Sequence, residues 1–157
     1  GVLAGLSGRS GASPPVLVDH TTASASLARE LHEAAAAVGV GFVDAPISGG
    51  QAGAENGTLT VMCGGDQADY DKALPVMEVY AKACKRLGET GAGQLTKMAN
   101  QIADNFSFHG DAEKRTADHL GRFWAPSMIQ QLAEYSSGGG SGLQPVLQRA
   151  LQQLAEA

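Results

Sequence analysis

Aromatic residues make up only 5% of the 157 residues, with a single tryptophan, so any core must be built mainly from aliphatic side chains and alanine. Cysteine is nearly absent. Cys63 and Cys84 form no disulfide framework and no cysteine-based metal site. Both lie in apolar, strand-like stretches and read as buried reduced thiols, which fits a cytoplasmic protein. There is no run of lysine and arginine, and the net charge is −5, so the phosphate-backbone footprint of a nucleic-acid binder is missing. No apolar stretch approaches the ~20 residues that span a bilayer, so no membrane partner is expected. His20, His32, His109 and His119 show no metal-ligand spacing. His32 reads as a solvent-facing helix position, and no Ser/His/Asp arrangement is legible. The chain opens on Gly1 rather than methionine, with no signal peptide after it, and is expected to begin partway into something larger.

What is present is globular in character. Hydrophobic residues are 43% and charged residues 17%, too apolar for a disordered chain, and the length suits one domain, or a small domain with an appendage. Val16 to Asp19, Val40 to Val43, Thr58 to Cys63 and Cys84 to Leu87 read as short strands. Between them fall helical patterns. Leu27, Leu31, Ala34 and Val38 mark one face of a helix capped by Thr22 or Ser24 and ended by Gly39. Asp66 caps another that carries Tyr70, Leu74 and Met77, with Pro75 as a kink point. Gly49 to Gly57 reads as a glycine-containing loop. Strands alternating with helices predict a parallel α/β layer over residues 13–90.

The pattern changes near Gln94. Leu95, Met98, Ile102 and Phe106 share a helical face, and further helices are expected over 112–123, around Met128, Ile129 and Leu132, and along Val146, Leu147, Leu151 and Leu154. Ser136 to Gly142 reads as a flexible linker. Phe123, Trp124 and Met128 are expected in the core of this segment, with a docking face as the alternative. The fold class is therefore α/β, a partial Rossmann-type parallel sheet over 1–93 followed by an all-helical segment over 94–157.

Four stretches carry chemistry. They are Asp44-Ala45-Pro46-Ile47-Ser48-Gly49-Gly50, Gly57-Thr58-Leu59-Thr60-Val61-Met62, Gly64-Gly65-Asp66, and Gly91-Ala92-Gly93-Gln94-Leu95-Thr96-Lys97-Met98-Ala99-Asn100. A lone lysine on a helix is ordinarily solvated, and a glycine turn after a strand needs no ligand to explain it. Taken together and in this order, however, the stretches resemble the β-hydroxyacid (3-hydroxyisobutyrate) dehydrogenase family, over roughly Gly1 to Ile102. The resemblance implies NAD or NADP as cofactor and a small 3-hydroxy acid as substrate. It makes Lys97 the catalytic acid/base, with an ammonium that hands a proton to the substrate oxygen and steadies developing negative charge. Asn100, one turn further on, shares the substrate with Lys97. Ser48, Gly49 and Gly50 become the substrate loop, with a hydroxyl and closely approaching N–H groups for a carboxylate. Asp19-His20-Thr21-Thr22 becomes the strand end beside the nicotinamide, with Thr22 as the cofactor contact, a role compatible with helix capping. A dinucleotide fingerprint needs a strand, then Gly-x-Gly-x-x-Gly opening a helix. Gly39-Val40-Gly41 has the opposite order, and the glycines from Gly5 to Gly11 fall in the second half of the family's nucleotide domain. The pyrophosphate-binding half and the helical substrate domain are not legible.

A second resemblance begins near Leu95. Lys97 to Asp104, then Arg122-Phe123-Trp124-Ala125-Pro126-Ser127-Met128, then Gly138 to Leu143 with Pro145, are similar to the delta subunit of NAD-dependent formate dehydrogenase. Ser127 departs from that family, which has a basic residue there. This resemblance implies formate dehydrogenase subunits as partners, and no active-site residues. The readings are a partial dehydrogenase that would need its missing half and is inactive alone, an accessory subunit, or an inactive chimera.

Overall fold

The computed structural model describes residue 5, residues 14–140 and residues 142–156. The expectation for the glycines from Gly5 to Gly11 falls, Gly5 apart, outside the described residues. The chain divides into two compact units, Gly1–Gln94 and Leu95–Ala157.

The first unit is built on strands β1 (Val16–Asp19), β2 (Gly41–Asp44), β3 (Ile47–Ser48), β4 (Leu59–Gly65) and β5 (Ala81–Gly88). Its helices are α1 (Ala25–Ala36), α2 (Gly50–Glu55) and α3 (Gln67–Met77). Side chains alternate across the strands. Phe42 joins Ala28, Ala35 and Val40 in one cluster, with Leu17 and Leu31 against it. Val43 joins Val61, Cys63, Tyr70, Ala73 and Met77 in another, with Val16 and Val18 against it. Helix α1 therefore covers one face of the sheet and α3 the other, the layered arrangement of a Rossmann-like α/β unit.

The sheet departs from the all-parallel expectation at its centre. β1 pairs parallel with β2, and β4 parallel with β5. β2 and β3, however, both run antiparallel to β4. The pairs Val43–Gly65, Asp44–Gly64, Ile47–Val61 and Ser48–Thr60 keep one continuous register. β2 and β3 are thus one ribbon, interrupted at Ala45-Pro46, where the Pro46 carbonyl still accepts from Met62 N at 3.1 Å. The segment expected as a loop contains a helix of only six residues, α2. A parallel return needs a longer crossover, so the chain folds straight back.

Other expectations change in detail. Ser24, not Thr22, caps α1 through its side chain, accepting from Leu27 N. The buried stripe of α1 is Ala25, Ala28 and Ala35, whereas Leu27 and Val38 are exposed. Alanines let the helix lie close on the sheet, with Leu31 packing at the edge of the cluster and Leu27 facing away. His32 is half-buried rather than simply solvent-facing: its Nδ1 is buried without a hydrogen bond and its ring meets Phe42 edge-on. Asp66 occupies an N-cap position but makes no side-chain cap bond, and α3 continues past Pro75 to Met77.

The second unit is helical, as expected: the later turns of α4 (Ala92–Phe106), then α5 (Ala112–Phe123), α6 (Pro126–Ser137) and α7 (Pro145–Ala155). Its buried side chains include Leu120, Leu132, Leu143, Leu147 and Leu151. Phe123 is not among them. It is 73% exposed at the last position of α5, with its ring beside His119. The expected Ser/Gly linker is not a free tether. Gly138 N and Gly140 N close the end of α6 on Glu134 O and Tyr135 O, and Gln148 Nε2 donates to Gly140 O at 3.2 Å. Among the described residues no helix is long and apolar enough to cross a membrane.

Candidate active site at the start of helix α4

Asp44 ends β2 and is fully buried. Its carboxylate accepts hydrogen bonds from Gly91 N at 2.6 Å and Gln94 N at 3.2 Å, two of the N–H groups that a helix start leaves unpaired. Burial pushes the Asp44 pKa up to about 6, opposed by those backbone hydrogen bonds and aided by nearby Asp19. Glycines make the arrangement possible. A Cβ on Gly64 would collide with the Asp44 carboxylate and lie 2.7 Å from Glu89 O. A Cβ on Gly93 would meet Met62 O and lie 2.8 Å from Asp44 Oδ2. The Gly-x-Gly before Lys97 is therefore a close-approach device between α4 and β4, not a phosphate cradle.

Gln94 is equally buried. Its Oε1 accepts from Ala23 N at 3.0 Å and its Nε2 donates to Thr21 O at 2.7 Å. Both contacts flank Thr22, which is exposed. Asp19 secures the other side of this turn by accepting from Thr21 N at 3.0 Å and from the Thr21 hydroxyl. His20 bridges the 2.6 Å contact to Ala45 O and the 2.7 Å contact to Tyr80 Oη. A carbonyl only accepts, so Nδ1 carries the proton and, in the neutral ring, Nε2 accepts from the Tyr80 hydroxyl. Sequence reasoning gave Asp44, Gln94 and His20 no role.

Ser48 is exposed at the end of β3, followed by Gly49 and Gly50, also exposed. Gly49 has φ +125°, and a side chain there would press on Leu59 at 3.1 Å, so glycine is required for conformation as well as contact. Lys97 lies in the second unit, partly buried on α4, and desolvation lowers its pKa from the usual lysine range. Asn100 follows on the same helix. Its Nδ2 donates to Gly142 O at 2.7 Å and its Oδ1 accepts from Gln144 N at 3.0 Å. The amide expected to share the substrate thus ties α4 to the chain entering α7. Asn100→Ala should cost the isolated chain about 1–2 kcal/mol, read from urea unfolding; an unchanged midpoint would remove that role.

The described residues fit one end of a dinucleotide. β1 and β2 run parallel and end side by side at Asp19 and Asp44, and the Thr21–Ala23 turn beyond β1 is held by Gln94, at the strand ends where open α/β sheets take ligands. They do not fit its pyrophosphate. The glycines of the turn from β4 into α3 are spent on strand packing, and Asp66 places a carboxylate at that helix start.

Residues 4–88 match the family model of the NAD binding domain of 6-phosphogluconate dehydrogenase. The chain belongs to that family. An uncharacterized oxidoreductase of Shewanella frigidimarina is 60% identical over 87 residues, which is 55% of this chain and 30% of that protein. The 3-hydroxyisobutyrate dehydrogenase of Pseudomonas aeruginosa is 35% identical over 143 residues, 91% of this chain and 46% of that enzyme. The solved structure of Psf3 in complex with NADP+ and 2-OPP matches with a TM-score of 0.62 at 25% identity, covering 99% of this chain and 51% of that one. Residues 94–151 also match the family model of the NADH-dependant formate dehydrogenase delta subunit FdsD. The dehydrogenase alignment runs on into the helical unit, so the two likenesses overlap there. The chain spans less than half the length of these curated relatives.

Proposed function

We propose that these residues form part of an NAD(P)-dependent 3-hydroxyacid dehydrogenase of the 3-hydroxyisobutyrate type, acting in the cytoplasm. The observation that carries the reading is Asp44. The strand that leads into Ser48, Gly49 and Gly50 ends in a buried carboxylate, and that carboxylate holds the first turn of the helix bearing Lys97. In this reading Ser48 and the Gly49 and Gly50 N–H groups hold the substrate carboxylate. Lys97, its pKa lowered by desolvation, gives a proton to the substrate oxygen during reduction and takes it back during oxidation. Thr22 lies against the cofactor, which when bound supplies or accepts the hydride. Asn100 joins the substrate only by giving up its bonds to Gly142 and Gln144.

The test is a graft. Residues 14–100 of this chain replace the matching stretch of the Pseudomonas aeruginosa 3-hydroxyisobutyrate dehydrogenase, and NAD(P)H formation from 3-hydroxyisobutyrate is followed. Turnover within about tenfold of the parent supports the reading. A folded graft without turnover contradicts it.

A second reading rests on the match of residues 94–151: the helical unit docks, in the manner of a delta subunit, on a formate dehydrogenase assembly. Co-elution of the chain with a purified NAD-dependent formate dehydrogenase, lost when residues 95–157 are removed, would favour it.

A further inference from the structure

We propose that Gln94 is a positioning residue that presents Thr22 to the nicotinamide end of the cofactor. The inference rests on the dehydrogenase reading and extends it to a residue given no role so far. Gln94 is a fully buried polar side chain in a unit whose other buried side chains are almost all apolar. A buried amide costs stability unless its partners are met, and the partners of Gln94 are specific. Its oxygen takes Ala23 N, and its nitrogen gives to Thr21 O. These are the backbone groups on either side of Thr22. The main chain of Gln94 is itself fixed, because Asp44 accepts from its N–H. One relay therefore runs from the end of β2, through Gln94, to the end of β1. It sets the height of Thr22 at the mouth of the two parallel strands. Leucine matches the volume of glutamine but meets neither backbone group. Glutamate keeps the acceptor for Ala23 N and sets a carboxylate against the Thr21 carbonyl.

The experiment uses the 157-residue chain, with amide spectra and hydrogen exchange for the wild type, Gln94→Leu and Gln94→Glu, each with and without nicotinamide mononucleotide. The wild type should show ligand-induced shifts at Thr22 and its neighbours. In Gln94→Leu the Ala23 amide should exchange at least tenfold faster and the shifts at Thr22 should vanish, while Val43 and Val61 in the sheet keep their protection. Gln94→Glu should retain Ala23 protection and lose most of the ligand response. Variants that keep both Ala23 protection and the Thr22 shifts would overturn the proposal. So would loss of sheet protection in both variants, which would make Gln94 a residue of the fold alone. A wild type with a protected Ala23 and no shift at Thr22 would show the tether to be real and the nicotinamide reading wrong.

Discussion

Purified alone, the 157-residue chain should oxidise 3-hydroxyisobutyrate with either nicotinamide at rates several orders of magnitude below those of ordinary dehydrogenases. The chain spans less than half of the enzymes it resembles. Its described residues fit the nicotinamide end of a dinucleotide and not the pyrophosphate, where a glycine turn and a helix start would normally carry the charge. Holding cofactor and substrate in a reactive pose accounts for ~7–11 kcal/mol of barrier in well-oriented systems, so weak cofactor binding alone removes most of the rate. Lys97 is only partly buried, so its proton transfer lacks a fully dry setting. A spectrophotometric assay with both nicotinamides decides this. Turnover at ordinary enzyme rates, abolished in Lys97→Ala, would show that the 157 residues suffice.

Asp44→Ala should remove a large share of the stability of the first unit, about 2–4 kcal/mol. Two backbone N–H groups, on Gly91 and Gln94, lose their acceptor in a buried place, and each orphaned donor costs ~1–3 kcal/mol. Small domains hold only ~5–15 kcal/mol in all. Asp44→Asn is milder, since its amide oxygen still accepts one bond while its nitrogen faces a donor. The same carboxyl makes stability depend on pH. Its folded pKa, about 6, stands above the ordinary 3.8, so the folded state binds this proton more tightly than the unfolded chain. On this group's account stability is fullest below pH 4 and is lost as pH rises through 6, by about 3 kcal/mol at full extent. The stability advantage of the wild type over Asp44→Asn should therefore shrink between pH 4 and pH 7 in urea unfolding. An advantage that stayed flat or grew would place the ionised form as the preferred one.

The parts legible in the sequence were those that repeat a period or a motif. Val16 to Val18 announces a strand through consecutive aliphatic residues, Thr58 to Cys63 announces one through its β-branched and apolar residues, and Leu147 with Leu151 announces a buried helical stripe. Direction of pairing was not legible, because it turns on whether the segment from Gly49 to Gly57 bridges the sheet or merely turns, and a six-residue helix only turns. Nor was the covered side of α1, since alanine fits both a packed face and an open one. Asp44 and Gln94 were hidden for a different reason. A polar residue at a strand end or in a first helical turn normally faces water, and only the fold brings the partners that make burial tolerable. A signal did exist for Gln94: it stands among Gly91, Gly93 and Leu95, where close approach leaves a long polar side chain little room except inward.

The claim most exposed to test is that Lys97 moves the substrate proton. In the graft of residues 14–100 into the Pseudomonas aeruginosa 3-hydroxyisobutyrate dehydrogenase, kcat is measured against pH for Lys97, Lys97→Arg and Lys97→Ala. The account predicts a loss of ~10²–10⁴-fold in kcat for alanine, with cofactor affinity unchanged. Arginine restores charge but not proton transfer, so its pH profile should lose the limb that lysine provides. A graft equally active with alanine at position 97, or one whose pH profile is the same for all three residues, would contradict the account.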